Sequence, residues 1–269
     1  PNISKYVNLA DYCLDERVRE GRGERRALIT DDGVYTYAEV QRRANRFAHV
    51  LRAAGVEPEQ RVLIALNDGL DWVAVFFATL KLGAAVVMAN PGIKKDEIEY
   101  FLEYTRAKVV ATEAAFAAQF REAGATVPAL REVLVRGESN LEKRLASTSE
   151  VFATFRSHRD DAAIWLFSGG TTGKPKGVIQ THGSFVNTTE LYAKGAMGYT
   201  ENEVTLSVPK LYFGYATGSN LIFPFSVGAT SILFSEKCTP EALFARIEKH
   251  RPTMLINVPT MVHQMTAHP

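Results

Sequence analysis

Apolar positions along the chain fall into two alternating patterns. Short runs recur at 61–66 (RVLIAL), 84–89 (AAVVMA), 107–112 (AKVVAT), 162–167 (AAIWLF), 229–234 (ATSILF) and 253–258 (TMLINV). They are apolar almost throughout rather than alternating, the pattern of strands covered by helices on both faces. Between them lie segments with helical spacing. The first, TYAEVQRRANRFAHVLRAAG, opens with the capping-box pair Thr36 and Glu39 and closes at Gly55, and its Val40, Ala44, Phe47, Ala48 and Leu51 share one face. In TPEALFARIEKH, Thr239 caps, Pro240 suits the first turn and Pro252 lies beyond the end. VPTMVHQMTAHP reads as a final helix. The longest apolar stretch, Trp72 to Ala89, is interrupted by Lys81 and Gly83 and ended by Asn90-Pro91-Gly92. It predicts a helix followed by a buried strand rather than a membrane span.

Strands and helices in alternation predict an α/β fold of layered, mostly parallel sheets with flanking helices. The polar stretch 136–161 predicts a connection between two sub-regions, with room for a helix within it. Composition narrows the picture little. The 31 Lys and Arg against 30 Asp and Glu leave a formal charge of +1. That balance makes no electrostatic case for nucleic acid or a membrane as partner. Two distant cysteines, Cys13 and Cys238, imply no disulfide framework and fit a reducing, cytoplasmic address. The six histidines lack metal-ligand spacing, so no metal site is expected.

The stretch SGGTTGKPKG at 168–177 carries the candidate chemistry. It directly follows the apolar run at 162–167. Glycines leave backbone N–H groups free to converge on an anion, hydroxyls add donors, and Lys174 and Lys176 add charge. A solvent-exposed turn is the competing reading, weakened by this density of donors. A Walker A loop is excluded, because Ser168 stands where its first glycine belongs and Pro175 follows Lys174 in place of Ser or Thr. A polyphosphate loop of another kind remains.

The segment FSGGTTGKPKGVIQTHGSF resembles the phosphate loop of the adenylate-forming superfamily, whose usual form is Tyr-Thr-Ser-Gly-Thr-Thr-Gly-Lys-Pro-Lys-Gly. Phe167, Ser168 and Gly169 depart from it, and Gly169 loses one hydroxyl. SVPKLYFGYATGSNLIFPFSVGATSILF at 207–234 is similar to the aryl-acid segment of benzoate-, hydroxybenzoate- and aminobenzoate-CoA ligases. HRPTMLINVPTMVHQM and LITDDGVYTYAEVQRRANRFAHVLRAAGV continue the resemblance, which covers nearly the whole chain.

The resemblance implies an aryl acid–CoA ligase that uses ATP, Mg²⁺ and coenzyme A on a small aromatic carboxylic acid. Ser168, Gly169, Gly170, Thr171, Thr172, Gly173 and Lys176 are the expected phosphate contacts, with Thr171 and Lys176 also taken as catalytic and Lys174 as solvated. Phe213, Gly214, Tyr215 and Ala216 are the expected aryl slot, Tyr215 first among them; ordinary core aromatics are the other reading. His182 is expected to be structural, and His263 packed or edge-exposed. The resemblance further implies that residues 1–269 are the N-terminal portion of a large adenylation domain, with a sub-region boundary near 136–161. The C-terminal part and a small lid domain would lie outside the chain, and the isolated segment would have little activity. Two alternatives stay open: an adenylase that loads a carrier-protein thiol, and a non-catalytic nucleotide- or aryl-acid-binding module. The ring substituent and the oligomeric state are not legible.

Overall fold

The computed structural model describes residues 1–168, the last by its backbone, and 173–268. Its strands are β1 (Arg26–Ile29), β2 (Val34–Thr36), β3 (Arg61–Ala65), β4 (Ala85–Met88), β5 (Val109–Thr112), β6 (Glu132–Val135), β7 (Ala162–Ser168), β8 (Lys176–Thr181), β9 (Val204–Ser207), β10 (Thr230–Ile232) and β11 (Met254–Ile256). They form a six-stranded sheet, β6-β5-β3-β4-β7-β8, and a five-stranded sheet, β11-β9-β10-β1-β2. Every neighbouring pair is parallel except β1–β2 and β7–β8, so each sheet ends in one antiparallel edge strand. All six apolar runs become strands. The other five strands lie outside those runs.

Helix α1 (Tyr37–Ala53) begins at the anticipated capping box: Glu39 N–H donates to Thr36 Oγ1 at 3.2 Å and Thr36 N–H donates to Glu39 Oε2 at 2.7 Å. Its apolar stripe is buried, and its other face carries Arg43 and Arg46. Helix α2 (Leu70–Lys81) differs, being buried at every residue from Trp72 onward. A helix apolar on all sides requires cover on all sides. One cluster provides that cover, joining α1 and α2 to Leu28 of β1 and to Val62, Ile64 and Val86 of the six-stranded sheet.

The alternate residues Leu63, Ala65, Val87 and Val110 point to the opposite face, where α3 (Lys95–Thr105) adds Ile98, Phe101 and Leu102. The outer face of the five-stranded sheet, with Ile29, Leu206 and Ile232, packs on Leu243 and Met261 of two further helices. Five layers result: helices, sheet, the α1–α2 pair, sheet, helices. The connection at 136–161 contains the helix Ser139–Ser147 and links β6 to β7 of the same sheet. Among the described residues no helix is long and apolar enough to cross a membrane.

Gly83 has φ of 72° just past the end of α2, and a Cβ there would meet the Phe155 ring at 2.5 Å. Both the turn and the close approach require glycine. The last residue of α2, Lys81, is a buried cation. Its Nζ donates to Asp15 Oδ1 at 2.5 Å and to Thr154 Oγ1 at 3.0 Å, with 1% and 10% of the Lys81 and Asp15 side chains exposed. This pair ties the N-terminal helical segment to the central layer. Asp15→Ala leaves the ammonium buried and unpaired and is expected to destabilise the fold by about 3–5 kcal/mol, read as a lower urea midpoint. The double variant Asp15→Leu with Lys81→Met, which removes both charges, is expected to recover most of that loss.

Candidate functional site

In parallel sheets the loops beyond the carboxyl ends of the strands line the ligand crevice. Here a cleft of about 450 Å³ lies between the two sheets. Its walls come from the ends of β3 (Asn67, Asp68), β4 (Asn90, Pro91), β9 (Val208, Pro209, Lys210) and β10 (Ser235 to Cys238), joined by Tyr212 and Phe213. The glycine-rich stretch leaves β7 and returns as β8, and the hairpin register sets Ser168 opposite Lys176. Lys176 therefore stands at the base of the loop, exposed.

Four expected phosphate contacts, Gly169, Gly170, Thr171 and Thr172, and the side chain of Ser168 lie outside the described residues. The returning limb is described and is gripped by α3. Tyr100 Oη donates to the Pro175 carbonyl at 2.6 Å, and Gly177 N–H donates to Tyr104 Oη at 3.2 Å. A Cβ on Gly177 would press on Trp165 at 3.2 Å and on Tyr104 at 3.3 Å, so the strand approaches these rings closely. Lys174 is exposed, as expected of a solvated residue, yet its ammonium lies 4.8 Å from the centre of the Tyr100 ring. This brace was missed from the sequence. Its signal was there: two tyrosines four apart in KDEIEYFLEYT, a helix-face pair on an acidic segment.

The expected aryl segment forms the short helix Gly214–Thr217 with Phe213 as its N-cap. Gly214 seats it: a Cβ there would stand 2.9 Å from Leu166 Cδ1, on the strand that runs into the glycine loop. Tyr212 and Phe213 pack with ring centres 4.4 Å apart and planes tilted by 38°, and both line the cleft. Phe213 is 51% exposed, Tyr215 is 54% exposed but does not line this cleft, and Ala216 is fully buried. The glycine-loop strand and the aryl segment are thus in direct contact, and Ala216 reaches the slot only through packing.

Asp68, at the head of the cleft, was not singled out from the sequence. Both its carboxylate oxygens accept from Leu211 N–H, at 3.1 and 3.2 Å. Burial pushes its carboxyl up to about 7, although Lys210 and the Leu211 amide both favour the charged form. Lys210 is lowered, chiefly by burial. Its Nζ donates to the Phe234 carbonyl at 2.6 Å and lies 3.6 Å from the centre of the Phe234 ring.

His182 is fully buried at the start of its helix, and its Nδ1 accepts from Leu9 N–H at 3.0 Å. Burial pushes its imidazole down to about 4 against the pull of Asp161, leaving a neutral packing residue. His263 is exposed. Both cysteines are free. Among the described residues, no group of three or more His, Cys, Asp or Glu is placed to hold a metal ion.

The family model for AMP-binding enzymes matches residues 14–269. The chain is 36% identical to the benzoate–CoA ligase of Thauera aromatica, over 99% of this chain and 51% of that protein. It is 34% identical to the 4-hydroxybenzoate–CoA/benzoate–CoA ligase of Rhodopseudomonas palustris, over 97% and 49%. Among solved structures, the anthranilate CoA ligase AuaEII in complex with anthranoyl-AMP superposes with a TM-score of 0.93 at 29% identity, over 100% of this chain and 53% of that one. A benzoate CoA ligase from Burkholderia xenovorans LB400 gives 0.88 at 35% identity, over 98% and 52%. The chain spans about half the length of the curated relatives it matches.

The raised Asp68 carboxyl predicts a pH-dependent stability. Its folded value, about 7, lies above its ordinary 3.8, so the folded state holds the proton more tightly than the unfolded one. The penalty is absent below the lower value, grows between the two and is complete above the higher. Asp68→Asn is expected to raise Tm by about 3 °C or more at about pH 8 and to leave it unchanged at about pH 4, in thermal melts.

Proposed function

The chain belongs to the AMP-binding enzyme family, and we propose that it carries the polyphosphate grip and the aryl-acid slot of an acid–thiol ligase acting on a benzoate-type acid. In the first half-reaction the aryl carboxylate oxygen attacks the α-phosphorus of ATP and pyrophosphate leaves. In the second, the thiolate sulfur of coenzyme A attacks the carbonyl carbon of the aryl adenylate, and the acyl–oxygen bond breaks to release AMP. The substrate supplies its own nucleophile in the first half, so the protein needs no nucleophilic side chain there. What it supplies is in-line placement and fixed positive potential.

In this reading Ser168, Gly169, Gly170, Thr171, Thr172 and Gly173 offer main-chain and hydroxyl donors to the β- and γ-phosphates. Lys176, at the base of the hairpin, adds the charge. Mg²⁺, which ATP chemistry implies, meets no donor cluster among the described residues, and no role here is routed through it. Phe213 and Tyr215 offer aromatic faces to the ring, with Gly214 and Ala216 keeping that part of the chain slim. Residues 1–269 would act as the N-terminal portion of a larger adenylation domain, in which the connection at 136–161 marks a sub-region boundary.

One observation carries the reading above the others. Gly214 lies against Leu166, two residues before the glycine loop, so an acid held by the aryl segment would present its carboxylate beside the phosphates. The relatives named above act on benzoate or hydroxybenzoate, and the solved neighbour holds anthranoyl-AMP.

The test is ATP–pyrophosphate exchange by the full-length protein over benzoate, hydroxybenzoates and 2-aminobenzoate, followed by thioester formation with coenzyme A or a carrier protein. Exchange driven by a benzoate and thioester on coenzyme A are expected. Thioester on the carrier protein alone would move the assignment to a carrier-loading adenylase, and exchange driven by aliphatic acids alone would end it. Lys176→Ala is expected to slow exchange by about 10²-fold with the aryl-acid KM little changed. Tyr215→Ala is expected to raise that KM by about 10-fold.

A further inference from the structure

We propose that Asp68 is a pH-sensitive positioning residue for the aryl-acid segment: ionised, it holds the Leu211 amide and fixes the helix that carries Gly214 and Tyr215; protonated, it loosens that hold. The proposal rests on the aryl-acid reading for its functional consequence, and on geometry for the latch itself.

Leu211 is fully buried and held at both ends of its peptide. Its N–H meets the two Asp68 oxygens at 3.1 and 3.2 Å. Its carbonyl accepts from Thr217 Oγ1 at 2.7 Å, at the far end of the aryl helix. Asp68 immediately precedes Gly69, the N-cap of α2. The latch therefore fastens the segment after β9, in one sheet, to the head of the central helix and to the end of β3, in the other. Two oxygens on one N–H is an arrangement that a carboxylate provides and that a neutral acid, with a proton on one oxygen, weakens.

The surroundings leave the latch free to titrate. Lys210, the nearby cation, directs its ammonium to the carbonyl and ring of Phe234 rather than to Asp68. Arg43 is paired with Asp71 at 2.8 Å and with Glu142 at 3.0 Å, and Arg136 with Glu113 at 2.8 Å. Asp31 receives N–H and O–H from Ser235 and opposes ionisation of Asp68. Tyr212 and Cys238 in the cleft are both pushed up by burial and stay neutral when Asp68 titrates. Glu236 and Lys237, of opposite sign, complete the rim. The burial that raises the Asp68 carboxyl to about 7 places the change within the neutral range.

The test has two readouts on the full-length protein. The first is the Leu211 amide resonance against pH. It is expected to titrate with a midpoint about pH 7 in the wild type and to stay flat in Asp68→Asn, whose amide oxygen still accepts but cannot ionise. The second is the aryl-acid KM for benzoate, which remains ionised throughout. It is expected to rise about 10-fold from about pH 8 to about pH 6 in the wild type, to change less than about 2-fold in Asp68→Asn, and to be raised at both pH values in Asp68→Ala. A Leu211 amide that does not titrate between about pH 5 and about pH 9 overturns the latch whatever the activity. A titrating amide with a KM profile shared by wild type and Asp68→Asn overturns its positioning role. A titrating amide in a protein that activates no benzoate leaves the latch standing and ends the aryl-acid reading instead.

Discussion

Helix α2 has almost no side to show to water, and the architecture follows from that. From Trp72 to Lys81 every residue is buried, including Trp72, which stacks on Phe76, and Phe77, which meets Phe76 edge-on. Each such ring contributes about 1.5–3 kcal/mol when covered, but one sheet and one neighbouring helix cannot cover a full circumference. A further layer is required, and Phe225, on the short helix Phe223–Val227 that precedes β10, supplies part of it with a ring 5.5 Å from that of Phe77. With α2 between them, both sheets are sealed on their inner faces. Because further helices seal the outer faces, their strands must be apolar in both directions. The unbroken runs in the sequence are the trace of this one constraint.

Two parallel sheets packed on one helical layer bring several strand ends to a common region. The residues that follow β3, β4, β9 and β10 share a cleft, and β7, which leads into the glycine loop, touches the aryl segment through Leu166 and Gly214. None of this requires a dedicated active-site scaffold. The strands end where the layers end, and the chain there is free of helix and sheet obligations, so glycine, proline and polar residues accumulate. The α3 tyrosines then restrain the returning limb of the loop at Pro175 and Gly177, where backbone mobility would otherwise be greatest.

What the sequence disclosed follows the same logic. The runs between helical layers were legible because burial leaves few polar positions in them, and α1 was legible because its stripe and capping box are local. β1, β2, β6 and β9 are only three or four residues long. β4, β5, β10 and β11 are as short, and were legible because each lies within a longer, six-residue run rich in apolar residues. β8 is an edge strand with exposed Val178 and Ile179, so its apolar residues do not mark a buried core. The glycine loop stood out by its composition, and the aromatic segment by its resemblance to aryl-CoA ligases. Asp68 and the Tyr100–Tyr104 pair were not, because their roles are contacts across 143, 75 and 73 residues of chain. An Asp before a glycine reads locally as a turn residue, and nothing in its neighbours announces Leu211.

Two acids of this fold, Asp15 in the core and Asp68 at the head of the cleft, make opposite use of their surroundings. Asp15 faces an ammonium at contact distance and also accepts from Thr154 and Gln41, so it has a full set of partners within the core. Asp68 has a cation nearby whose donors are engaged elsewhere, and it takes its hydrogen bonds from one backbone amide. A buried carboxylate with a full set of partners stays ionised; one with a partial set moves toward neutrality. The difference lies in how completely the surroundings answer the charge. Answered, the charge locks the N-terminal segment to α2. Half answered, it leaves at the head of the cleft a group that joins the end of β3 to the segment after β9, a position with direct leverage on the geometry of a ligand site.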